Sequence, residues 1–198
     1  MNNIIPKDTR YVPLIQQKSC CMPASINMVL YKLGLPLIPQ ELLGHHLGLI
    51  VAKEDKHLFW RASTGKKPKS GHGTRIFLKQ YNPNIAFKKL GILLRMMIYP
   101  VTEFESDREL ISFVSSKIKD DKNILVRLSS GILNNNGKNS GHVCVVDKIY
   151  PKENKIRIID PSPSQPKWRE IKISKLKKAM ELHPDGLGGF LELEKTKK

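Results

Sequence analysis

Between Met22 and Leu33 the apolar residues Ile26, Val29, Leu30 and Leu33 recur at helical spacing, which predicts an amphipathic helix that Gly34 stops. The segment "PQELLGHHLGL" reads as a second short helix, because Pro39 has the backbone angle of an early helical residue and no N–H to leave unpaired. "STGKKPKSGHGT", Ser63 to Thr74, breaks every periodicity and predicts a loop bordering any cleft nearby. Further along, the pattern changes. A strand is expected within Ile92 to Thr102, then a helix in "SDRELISFVSSKIK", with a Ser106 cap and an acidic first turn. Short β segments follow at Ile124 to Leu128, His142 to Tyr150, Lys155 to Asp160, Trp168 to Ile173 and Gly189 to Leu193, with a helix from Ser174 to Leu182 before the last. The turns "NNNGKNSG" and "PKEN" suit a meander of antiparallel strands. Helices first and sheet later is an α+β plan: one domain over 1–198, with a helical half of about 1–90 and a sheet half of about 91–194.

Composition adds bounds. A hydrophobic share of 40% against 26% charged residues is globular rather than disordered. The N-terminal "MNNIIPKDTRYVPLIQQK" lacks the apolar core of a secretory signal, and "LGILLRMMIYPV" is broken by Arg95 and Pro100 and is too short for a bilayer. Three cysteines give an odd count without a disulfide framework, so the expectation is a soluble, cytoplasmic protein of a reducing compartment. The net charge of +16 would attract nucleic acid, anionic membrane or an acidic protein. The lysines are spread over "GKKPK", "FKKLG", "KLKK" and "EKTKK", so a solvated basic surface is favoured over a nucleic-acid footprint.

Two of the three cysteines, Cys20 and Cys21, stand side by side where "MPASINMVL" begins its helix. A disulfide between neighbours is strained, whereas a helix N-terminus favours the thiolate through its dipole and free N–H groups. One sulfur can point outward as a nucleophile while the other packs; the plainer reading is a small buried residue. A base is available in "NSGHVCVVDKIY". His142 opens a strand whose Val143 and Val145 share one face and Cys144 and Val146 the other. Asp160 ends the next strand before Pro161, and a hairpin around "YPKENK" returns it to the His142 end of the sheet. The expected geometry is a carboxylate on imidazole Nδ1 with Nε2 aimed at the thiol. Gln16 or Gln17, just upstream, offers an amide donor for an oxyanion, alongside the N–H of the nucleophile. Taken singly, a turn histidine, an Asx-turn aspartate and two exposed glutamines need no catalysis to explain them.

The order "VPLIQQKSCCMPASINMVLYKLG", "SGHVCVVDKI", "IIDPSPS" resembles the papain-like cysteine peptidases of the bacteriocin-processing, double-glycine type and their stand-alone relatives. That family shows a glutamine, a "CGPAS"-like motif opening a helix, a "GH" before a strand and a "DP" after the next. The resemblance, from about Tyr11 to Pro161, implies a papain-like fold with Cys21 as nucleophile, Cys20 as the alternative, His142 as base and Asp160 as orienting carboxylate. It makes Gln16 or Gln17 the oxyanion donor and calls for no cofactor or metal. Two departures stand out: Met22 replaces the usual glycine and would crowd the cleft, and the glutamine lies nearer the cysteine than in the family.

The reaction expected is hydrolysis of peptide or isopeptide bonds in a protein or peptide substrate, an acidic one suiting the basic surface. An acyltransferase, transglutaminase-like or deamidating enzyme on the same triad is the first alternative, and a basic nucleic-acid-binding module with a vestigial triad the second. The remaining motifs are read plainly. His45, His46, His57 and His72 lack the companions of a metal site, and "GHGTRIF" lacks the frame of a phosphate loop. Trp60 and Trp168 are read as packing residues, and Gly188-Gly189 as glycines preceding a strand.

Overall fold

A computed structural model describes residues 5–64, 72–137, 140–165 and 167–196. Its first helix, α1 (Cys21–Lys32), buries every residue from Met22 to Leu30. It is therefore a core helix enclosed on all sides rather than an amphipathic surface helix. Its polar residues have partners: Asn27 bonds both the N–H and the carbonyl of Ile38 at 3.0 and 2.8 Å, pinning the turn that follows, and Ser25 Oγ donates to the Val143 carbonyl at 3.3 Å. Gly34 ends the helix with φ of 64°, a left-handed conformation that glycine adopts without strain. Helix α2 (Gln40–His46) follows, with Pro39 as its cap rather than its first residue.

The predicted loop over Ser63 to Thr74 lies partly outside the described residues. Its first two residues form β2 (Ser63–Thr64), paired in parallel with β1 (Ile50–Val51), and Gly73 exchanges two backbone hydrogen bonds of 2.9 Å with Ile50. Trp60 departs from its expected packing role: it is 93% exposed. Its neighbours Phe59 and Ala62 take the inward positions beside Cys20, Leu49 and Val51, and Lys56 Nζ ties off the Ala62 carbonyl at 2.7 Å. Trp168 does pack, against the main core, with its Nε1 donating to Thr9 Oγ1 at 2.9 Å.

Helix α3 (Pro83–Lys89) forms where the pattern predicts no element; Asn82 caps it by accepting from the Asn84 N–H at 2.9 Å. Then come β3 (Leu94–Pro100), α4 (Asp107–Lys119), β4 (Asn123–Ser129), a short α5 (Ser130–Asn134) and β5 (Gly141–Tyr150). The chain finishes with β6 (Lys155–Ile159), β7 (Trp168–Lys172), α6 (Ile173–Glu181) and β8 (Gly189–Lys195). Ser106 caps α4 as expected.

The six strands lie in the order β3-β8-β4-β5-β6-β7, every pair antiparallel. The meander holds from β4 to β7 only, because β8 inserts between β3 and β4. It can do so because Phe190, Leu191 and Leu193 fill both faces, and its Glu192 pairs with Lys117 at 2.7 Å and accepts the Tyr99 hydroxyl at 3.0 Å. Helices cover both faces, giving an α+β architecture. Leu125, Val143, Val145, Ile159 and Leu191 face α1 to α3, whereas Ile124, Val126, Cys144, Val146 and Ile158 face α4 and α6. Alternate burial of this kind fixes the strand register, since a one-residue slip would exchange the two cores. Among the described residues, no helix is long and apolar enough to cross a membrane.

Candidate active site

The chain enters α1 through a tight turn. Ser19 sits at φ of 59°, unusual for a residue with a side chain, and the Cys20 N–H bonds the Gln17 carbonyl at 3.0 Å. This turn separates the two neighbouring cysteines. Cys20 is fully buried with Leu49, Val51, Phe59 and Ala62, and burial pushes its thiol up to about 12. Cys21, the first helical residue, remains partly exposed. Burial by itself would raise its thiol, but the hydrogen bond and charge of His142, with the Val143 and Met22 backbone N–H groups, hold it below the ordinary value. No acidic residue stands in the first turn of α1 to offset the helix dipole. Met22 is buried in the core cluster of α1, so it does not crowd the cleft.

The β5–β6 hairpin brings the second and third groups together. Val145 pairs with Ile159, so Asp160 falls beside the start of β5, and His142 Nε2 lies 2.8 Å from Asp160 Oδ1. The ring is thus turned opposite to the expected orientation: Nε2, not Nδ1, meets the carboxylate. Cys21 also hydrogen-bonds the ring and the Val143 backbone N–H, so the carboxylate and the sulfur both reach the imidazole. Asp160 is 1% exposed, and three donors complete its shell: His142 Nε2, the Ser162 N–H at 2.9 Å and Arg169 Nη1 at 2.9 Å. Burial opposes its charge, yet His142, the Ser162 N–H and Arg169 together hold its carboxyl below the usual range. Burial likewise opposes a charged His142, but its surroundings raise it well above the usual value. Cys144, which contacts the ring, has its own thiol pushed up to about 11 and is neutral at neutral pH; the Asp160 carboxylate and the Cys21 sulfur therefore supply the negative charge. The imidazole thus stands between the Cys21 sulfur and the Asp160 carboxylate, and its hydrogen bonds to both favour its protonated form.

The glutamines differ in placement. A strap from Thr9 to Gln17 is anchored by Asp147, which accepts from the Arg10 N–H at 2.7 Å, and by Tyr11, whose hydroxyl donates to Asn123 at 3.1 Å. Gln16 donates its N–H to the Pro161 carbonyl at 2.9 Å, one residue beyond Asp160, and its side-chain Oε1 is buried without a hydrogen-bond partner. Such an unsatisfied buried amide atom calls for an explanation. Gln17 is exposed, and Gln40 accepts its N–H at 2.8 Å while donating to the Ile15 carbonyl at 2.9 Å.

His142, Cys144 and Asp160 place possible ligand atoms within 4.8 Å of one another. Both carboxylate oxygens of Asp160 already have donors, and the Arg169 cation bonded to one of them opposes a second cation. His45 and His46 contact each other edge to face, and no metal-ligand cluster includes them among the described residues.

Three supporting residues carry no signal in the sequence. Arg169, in the alternating "WREIK", orients Asp160; Gln40, at the start of α2, clamps the glutamine strap; and the His183 ring stands over Gly141, where its Nε2 would lie 2.5 Å from a Cβ. Strand pairing brings Arg169 near, and contacts from α2 and from the α6–β8 connection bring Gln40 and His183; no local pattern marks any of them.

No family model matches the chain, and no curated protein matches it. Among solved structures it is similar to the peptidase domain of Streptococcus ComA, a bi-functional ABC transporter involved in a quorum-sensing pathway, with 20% identity and a TM-score of 0.49. The superposition covers 96% of this chain and 98% of that one. At that level the likeness assigns no role to any residue of this chain.

Proposed function

We propose that this protein is a cysteine peptidase of the double-glycine type suggested by its "CMPAS", "GH" and "DP" segments, acting on peptide or isopeptide bonds of a protein or peptide substrate. The observation that carries the reading is the connected set Cys21–His142–Asp160, in which Cys21 alone of the three cysteines has a lowered thiol, while burial raises Cys20 and Cys144. Cys21 Sγ attacks the scissile carbonyl carbon, and the electron pair of the C=O moves onto oxygen. The Cys21 N–H and the Gln16 amide are the donors nearest in sequence to that oxyanion, with Gln16 favoured over Gln17 because its strap is tied to Pro161. His142 gives its proton to the leaving amine and the thioester forms. Water then attacks the thioester carbonyl carbon as His142 takes its proton, the C–S bond breaks to release the carboxylic acid, and the Cys21 sulfur leaves as thiolate beside the protonated His142, ready for the next turnover. Asp160 keeps the imidazole in place throughout.

The test is incubation with a proteome-derived peptide library and mass-spectrometric mapping of new termini. Cleavage by the wild type, and its loss in Cys21→Ala and His142→Ala with Cys20→Ala active, is the expected result. Cleavage that survives Cys21→Ala would overturn the assignment. Adding a primary amine separates the alternative: adducts at cut sites in place of free acids would make the enzyme an acyltransferase.

A further inference from the structure

Strand β4 is buried along its whole length, yet its centre carries an arginine, Arg127. A guanidinium so placed must have partners, because an unpaired buried charge is strongly unfavourable. Its partners come from the segment between α6 and β8. Nη2 bonds Asp185 Oδ2 at 2.8 Å, Nη1 donates to the Leu187 carbonyl, and the Phe77 ring covers the group with its centroid 4.5 Å from Cζ. Asp185 also holds His183 Nδ1 at 2.5 Å, and the His183 ring fills the space over Gly141, next to His142.

The register shows what this assembly faces. Arg127 pairs with Val143, whose N–H approaches the Cys21 sulfur. Leu125 and Val143 lie on the sheet face that packs against α1, so Arg127, two residues on from Leu125, projects to the same side. Its charge and the Cys21 sulfur interact electrostatically. We propose that Arg127 is a positioning residue for Cys21, its caged cation on the α1-facing side of the sheet adding to the positive field at the N-terminus of α1.

The inference rests on Cys21 being the reactive thiol. The charged groups around that sulfur are His142 from β5, backed by Asp160 and by Arg169 from β7, and Arg127 from β4, backed by Asp185 and His183. Within α1 the first turn carries no acid, and the only base is Lys32 in the last turn. Glu41 of α2 acts on Cys20. Asp185 thus partly cancels Arg127 at the sulfur, and removing one or the other must shift the thiol in opposite directions. A purely structural role would not do this, since loss of either partner would loosen the same cage.

The experiment measures the iodoacetamide labelling rate of Cys21 against pH in the full chain, with Cys20 and Cys144 read separately by peptide mapping. Arg127→Met is expected to raise the pH midpoint and slow labelling at pH 6.5 by about threefold or more, a modest electrostatic loss in a partly screened site. Arg127→Lys should restore most of the rate, and Asp185→Asn should lower the midpoint. Should Arg127→Met misfold, Asp185→Asn, which keeps the cation and the size of the side chain at Asp185, carries the test alone. An unchanged or raised midpoint in Asp185→Asn, or shifts of the same sign in both variants, would overturn the proposal. His142→Ala in the same assay separates the two levels: if it leaves Cys21 labelling unchanged, the catalytic reading itself fails, whatever Arg127 does.

Discussion

Selective alkylation tests the site without knowledge of a substrate. With its thiol pushed up to about 11, Cys144 is ionised to about one part in ten thousand at pH 7, and Cys20, at about 12, to a tenth of that. Cys21 lies below the ordinary 9.0, so more than about one part in a hundred is thiolate. Ionisation therefore favours Cys21 over Cys144 by at least about a hundredfold. The more basic thiolate is intrinsically the better nucleophile, which returns about eightfold over a difference of two pKa units. A net preference of at least about tenfold remains, and burial of Cys20 and Cys144 adds to it. The assay is brief exposure to substoichiometric iodoacetamide at pH 7, digestion, and quantitation of the carbamidomethyl peptides. Because Cys20 and Cys21 are adjacent, fragment ions must separate them. Replacing His142 with alanine should lower the Cys21 rate about tenfold, since the ring supplies the principal opposing charge. Equal labelling of the three thiols, or Cys144 ahead of Cys21, would refute the electrostatic reasoning.

Other outcomes follow from the packing and the ion pairs. The carboxyl of Asp160 is depressed in the folded state, so its contribution to stability is present above the ordinary value of 3.8 and is lost as pH falls through the folded value. Arg169→Met should accordingly move the acid-unfolding midpoint, followed by circular dichroism, to higher pH. It should also destabilise at neutral pH by about 3 kcal/mol, because it leaves a buried carboxylate short of a partner; an unchanged midpoint would contradict this. Gly188→Ala should lower the melting temperature steeply or prevent folding, because its Cβ would lie 2.0 Å from the Met180 carbonyl oxygen, a backbone atom that cannot swing aside. A melting temperature within a degree of wild type would show that the α6–β8 connection is looser than described. Phe190→Ala, at a fully buried ring stacked on Phe113 at 5.6 Å, should cost about 3–5 kcal/mol in urea unfolding, and a loss under about 1 kcal/mol would mean that the second core collapses around the gap.

Local chemistry made much of the fold legible. The Ser106 cap, the Gly34 stop and the alternation of β5 and β6 each depend on neighbours within a few residues, and each element formed near its expected limits. The elements missed were those with weak local signals. Helix α3 has no run of apolar periodicity, whereas β8 formed as the expected strand but takes a place between β3 and β4 that no local pattern specifies. Trp60 shows the same limit, since which of Phe59 and Trp60 turns inward depends on the surface offered by Cys20, Leu49 and Val51.

At the site, the chain order of cysteine, histidine and aspartate was plain because each sits at a motif with its own backbone logic: a helix start, a strand opening and a strand end before proline. Hairpin geometry alone was enough to predict that His142 meets Asp160. What sequence left open was a choice between near-equivalents, Cys20 or Cys21 and Gln16 or Gln17, and the expected ring orientation, Nδ1 on the carboxylate, is reversed in the structure. Such choices turn on direction and burial, which adjacent residues in one segment do not determine. The left-handed Ser19 sends one sulfur into the core and leaves the other facing the imidazole, and the strap's bond to Pro161 distinguishes the glutamines. Arg169, Arg127 and Gln40 reach the site only through pairing across distant parts of the chain, and the fields they impose exist only once the sheet has assembled.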